Sequence, residues 1–147
     1  MGKAVTEVEL RQLQGGSFVG KGPSNHWVNI DTGKSEEGHA AASGPMELVL
    51  MALGTCSGID LNLMLKKMRL DVVDMQIRLA GTRAADPPRK FTQIHITFHF
   101  WGADLPMSKL ERAVSLSLEK YCSVANTLNG VAEITSAVVT HAPGESL

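Results

Sequence analysis

Two cysteines, Cys56 and Cys122, carry the only thiols of this 147-residue chain. A thiolate is both a strong nucleophile and a reversible redox group, so these two positions are the first candidates for chemistry. Cys56 lies within Gly54-Thr55-Cys56-Ser57-Gly58, and Cys122 within Glu119-Lys120-Tyr121-Cys122-Ser123-Val124. A free cysteine also serves as a small buried hydrophobe, and spacing alone leaves both readings open. The glycines flanking Cys56 are four apart, which clears one helical face for a substrate or a second backbone; close helix–helix packing explains the same spacing. Asp60 stands four residues after Cys56 on the same helical face. A nearby carboxylate raises a thiol pKa unless it is solvated or paired.

Other chemistries find less support. His95 and His99 share one strand face, but four strand residues span about 13 Å, too far to chelate one ion. They read as solvent-facing strand residues, and His26, His39 and His141 form no motif. There is no phosphate-cradling glycine loop, nucleophile elbow or dinucleotide fingerprint, so no metal and no cofactor is expected. Fourteen Lys+Arg against fifteen Asp+Glu leave a net charge of -1, without the basic excess of a nucleic-acid binder. Lys66-Lys67-Met68-Arg69 suits the negative end of a helix dipole. Two cysteines are too few for a disulfide scaffold or a four-cysteine zinc site.

The elements that must hold these residues follow from periodicity. Ala4–Leu13 and Ser17–Gly20 read as a hairpin about Gln14-Gly15-Gly16, with a further strand at His26–Ile30. Asp31–Ser43 is a polar loop, and Ser43-Gly44-Pro45 carries the signature of a helix start. The helix from Pro45 to Lys67 is apolar nearly all round, which marks a buried element. Its Glu47, Asp60 and Asn62 are expensive in hydrocarbon, so no membrane span is expected. Val72–Arg83 and Phe91–Trp101 alternate as a long hairpin, with Ile94, Ile96, Phe98 and Phe100 turned inward. A helix from Pro106, a second piece at Ser123–Leu128 and a last strand at Val131–Thr140 complete an α+β order, a mostly antiparallel sheet packed on a long buried helix. The 44% apolar composition supports one packed core, hence a single domain over residues 1–147. A helix apolar on every face needs more cover than one small sheet provides, so a homodimer is expected. Met1–Leu10 lacks the apolar block of a secretory peptide, and a cytoplasmic location is expected.

Gly44-Pro45-Met46-Glu47-Leu48, the apolar helix carrying Cys56, and Glu119-Lys120-Tyr121-Cys122-Ser123-Val124 together resemble the OsmC/Ohr family, and specifically a less characterised branch of it. The resemblance covers essentially the whole chain. It implies an interlocked homodimer and a thiol peroxidase of the oxidative stress response. Cys56 would reduce an organic hydroperoxide or hydrogen peroxide, Cys122 would resolve the sulfenic acid, and a lipoyl-type dithiol would restore both thiols. Glu47 joins them as the third candidate catalytic residue. Two positions depart from the family pattern. The place after the helix-opening proline, a glutamate in active members, is Met46, with Glu47 about 100° further round the helix. The family's hairpin arginine is missing from Gln14–Val19, where only Arg11 and Lys21 flank the turn. The alternative these departures support is a member without peroxidase activity that binds a small apolar ligand or serves as a redox sensor.

Overall fold

The computed structural model describes residues 2–34 and 37–147, which form two compact units, Met1–Val49 and Leu50–Leu147. In the first unit, β1 (Glu9–Gln14), β2 (Ser17–Lys21) and β3 (Val28–Ile30) make an antiparallel sheet in sequence order. Gly15 sits at φ +53° in the β1–β2 turn, a left-handed conformation that a residue without Cβ adopts at no steric cost. The strand begins at Glu9 rather than Ala4, and β1 is exposed along its whole length.

The loop after β3 is organised by Asp31, only 2% exposed. Its carboxylate accepts the backbone N–H groups of Thr32 (2.7 Å) and Ala41 (3.0 Å), and more distantly that of His39. The Ala41 N–H, with those of Thr32 and His39 and the Ser17 side chain, holds the carboxyl below its ordinary 3.8, against the opposing effect of burial.

Helix α1 (Pro45–Lys67) begins as its sequence requires. Gly44 precedes Pro45, and the Gly44 N–H donates to Glu47 Oε2 at 2.6 Å, the reciprocal half of a capping box. Its far end closes with Arg69 at φ +57°, the Arg69 N–H reaching Lys66 O and the Leu70 N–H reaching Leu65 O. That pair of bonds is a Schellman cap. By length and composition α1 could cross a membrane; Leu53, Leu61 and Leu65 are buried in protein. Met51, Ile59 and Leu63 are not, and stay about half exposed or more.

The second unit contains β4 (Asp74–Arg83), β5 (Phe91–Trp101) and β6 (Glu133–His141), in the order β4-β5-β6. The β4–β5 pair is the expected antiparallel hairpin, whereas β6 lies parallel to β5. A parallel neighbour needs a long crossover, and here α2 (Met107–Leu116), a π-helical turn (Ser117–Tyr121) and α3 (Ser123–Leu128) supply it. Strand β5 is central, and Ile94, Ile96, Phe98 and Phe100 are fully buried. Gly54 and Gly58 face β4: a Cβ at Gly54 would stand 2.7 Å from a Leu79 methyl, and one at Gly58 2.9 Å from an Ile77 methyl. Their spacing therefore serves helix-on-sheet packing, neither a helix pair nor substrate approach.

Candidate thiol site

The crossover brings Cys122 onto α1. The π-helical turn ends in a bond from the Cys122 N–H to Ser117 O (2.7 Å), and Cys122 then leaves helical geometry as the N-cap of α3. Its sulfur accepts the Ala125 N–H at 3.3 Å and directs its own proton toward the Leu53 carbonyl of α1, at 4.0 Å. A π-helical turn inserts one extra residue per turn, which re-aims the side chain that follows. The two thiols, distant in sequence, lie near enough for Cys56 to act on the ionisation of Cys122. Neither is in a disulfide.

Their environments differ. Cys122 is fully buried, while Cys56 is partly accessible. Burial, with the adjacent Cys56 adding to it, pushes the Cys122 thiol up to about 11, although the Ala125 N–H works the other way. At neutral pH Cys122 therefore stays a thiol.

Beside the sulfurs runs a buried hydroxyl network that sequence reasoning did not find. Ser57 and Ser117 are both fully buried. Ser117 Oγ donates to Asp60 Oδ2 at 3.2 Å, which leaves Ser57 to donate to Ser117 Oγ at 3.0 Å. Asp60 is half-buried, keeps some access to solvent and accepts a hydroxyl; among the described residues no basic group pairs with it. Two signals were present: Ser57 adjoins Cys56, and Ser117 continues the core-facing series Leu110, Ala113, Val114.

The other sequence candidates fall elsewhere. Glu47 caps α1 and lies in the N-terminal unit. Arg11 and Lys21 converge on Trp27, 5.5 Å and 4.8 Å from its ring centroid, and both lie near Glu9. His95 is exposed, as expected. The expectation for His99 and His141 needs correction: His99 is half-buried, and its Nδ1 stands 2.9 Å from His141 Nε2. The β5–β6 register pairs His141 with Trp101 and so sets it diagonal to His99, a cross-strand relation that no single-strand motif could reveal. Burial, together with His141 and Arg78, lowers the His99 pKa. Among the described residues no group of three or more His, Cys, Asp or Glu is arranged to hold a metal.

Comparison with known proteins agrees with this architecture. Residues 38–137 match the family model described as OsmC-like protein. The chain is 40% identical to Protein YhfA of Escherichia coli K12 over 129 residues, covering 88% of this chain and 93% of that one. A hypothetical protein from Aquifex aeolicus superposes with TM-score 0.83 at 31% identity, over 95% of this chain and 98% of the other. An organic hydroperoxide resistance protein from Elizabethkingia anophelis shares the fold at TM-score 0.73 and 12% identity, over 95% and 99% of the two chains.

Proposed function

The chain belongs to the OsmC/Ohr family, and from that premise we propose that it is a cytoplasmic thiol-dependent peroxidase, with residues 1–147 acting as one functional domain. The observation that carries this reading is a partly accessible Cys56 near a fully buried Cys122 whose thiol is pushed up to about 11. The Cys56 thiolate attacks the distal oxygen of a hydroperoxide; the O–O bond breaks, the leaving alkoxide takes a proton from solvent to become an alcohol, and Cys56 becomes a sulfenic acid. Cys122 then attacks that sulfur, water departs with the Cys122 proton, and a Cys56–Cys122 disulfide remains. An external dithiol of the lipoyl type reduces the disulfide and is itself oxidised. Glu47 acts as a positioning residue, capping the helix that carries Cys56.

A homodimer fits the same reading. Met51 and Ile59 on α1 and the fully exposed β1, with Leu10 and Leu13, offer apolar surface of the kind a second copy covers.

The cysteine variants test the assignment. With cumene hydroperoxide and dihydrolipoamide, Cys56→Ser is expected to abolish turnover, since a hydroxyl cannot replace a thiolate at neutral pH. Cys122→Ser should retain one stoichiometric reaction and accumulate Cys56 sulfenic acid, which over-oxidises at high peroxide. Mass spectrometry after one equivalent of peroxide reads both outcomes. Sulfenic acid on Cys122 in the Cys56 variant would reverse the roles. One round of disulfide formation without turnover would make the protein a sensor.

A further inference from the structure

Within the C-terminal unit, a cleft opens between α1 and α2, with Tyr121 also lining it. At about 780 Å³ it falls within the range of small-molecule sites, about 300–1,000 Å³. Neither cysteine lines it. Helix α1 contributes Asp60, Leu63, Met64 and Lys67, with Met68 just beyond its end, and α2 contributes Lys109, Arg112, Ala113 and Leu116. Each set follows the spacing of one helical stripe, the kind of stripe that is apolar when two helices simply pack together.

Here the stripes are mixed. Leu63, Met64, Met68 and Leu116 form apolar walls, with Leu63 56% and Leu116 37% exposed. Lys67, Lys109 and Arg112 add three cations, and among the described residues none of the three forms an ion pair. The single carboxylate at the cleft, Asp60, already accepts the Ser117 hydroxyl. Three positive charges beside one negative charge on a chain of net charge -1 make a local excess that apolar packing leaves uncompensated. An apolar patch from a second copy would cover the walls but desolvate the cations without a partner, which costs free energy.

We propose that this cleft binds an amphipathic organic anion, a carboxylate with an apolar tail. The tail lies against the leucine and methionine walls, and the head is held by Lys109 and Arg112 with Lys67 opposite. Methionine side chains adapt to tails of differing shape. Neither cysteine lines the cleft, so the proposal stands whether or not peroxide is reduced.

Calorimetric titration with decanoate and with decanol, which share a tail but not a charge, tests it on the full chain. The expected result is saturable binding of one decanoate per chain, about tenfold or more tighter than decanol, with the gap narrowing at high salt. The double variant Lys109→Glu/Arg112→Glu should lose about tenfold or more for decanoate and little for decanol. Leu116→Trp, at a partly exposed position, should weaken both by filling the cleft. Thermal melts confirm that each variant is folded; Lys109→Gln/Arg112→Gln replaces the reversal if it is not. Equal affinity for the two ligands, or decanoate binding unchanged by charge reversal, overturns the proposal. So does an absence of saturable binding, and sedimentation showing that Leu116→Trp splits a dimer while decanoate fails to bind would make a second copy the occupant.

Discussion

The two compact units are held together by different physics. In the C-terminal unit, β5 buries four large apolar side chains completely, and α1 meets the sheet through glycines that leave no room for a Cβ. In the N-terminal unit, β1 is exposed throughout, Trp27 is 45% exposed, and the most buried side chain is the carboxylate of Asp31. One unit has a core of hydrocarbon. The other has a polar clasp and an apolar surface still facing outward. A small sheet with three short strands cannot bury enough area alone to offset its ordering entropy. In the proposed homodimer, cover from the second copy therefore matters most for the N-terminal unit.

The largest effect is expected at the core. Phe98→Ala removes a fully buried ring that stacks on Phe100 at 6.4 Å. It should cost about 3–5 kcal/mol in urea unfolding, reported by the C-terminal unit. A loss below about 1 kcal/mol would mean that this core is less closely packed than its burial implies.

A surface charge on the other unit should separate assembly from folding. Leu10 is 59% exposed in the single chain, where a surface substitution changes stability by about 0.5 kcal/mol or less. If a second copy covers β1, Leu10→Asp should weaken association about tenfold or more by sedimentation, with the urea midpoint of the C-terminal unit scarcely moved. Unchanged sedimentation would remove β1 from the interface.

The polar clasp should respond to pH where the core does not. Folding holds the Asp31 carboxyl below its ordinary 3.8. Its stabilising contribution is therefore complete above that pH and is lost as pH falls through the lowered folded value. Amide hydrogen exchange at Thr32 and Ala41 should accelerate in acid, or at neutral pH in Asp31→Asn, while β5 amides stay protected. Equal acceleration in both units would show that they unfold as one.

Much of this was legible in the chain because it rests on local rules. The alternation in Phe91–Trp101 specified both a strand and its buried face, and the structure reproduces its ends. Ser43, Gly44 and Pro45 marked the start of α1 by capping chemistry, and its bounds follow. Cys56 and Cys122 stood out as the chain's two thiols. The strand ends near the N-terminus were less clear, since an exposed strand has no buried face to impose alternation.

What tertiary structure alone decided concerns pairs of residues distant in sequence. Whether the two thiols meet depends on the π-helical turn and on the angle at which the crossover returns to α1. Composition carries no record of either. The same holds for Ser57 with Ser117, for His99 with His141 across parallel strands, and for the cations that face α1 from α2. Asp31 looked like an ordinary loop acid because its partners are backbone N–H groups, which every residue but proline possesses. The sequence by itself determined which segments become helix and strand and which side chains can react. Only the fold determined which of them touch, because burial and pKa belong to the neighbourhood of a group and not to the group itself.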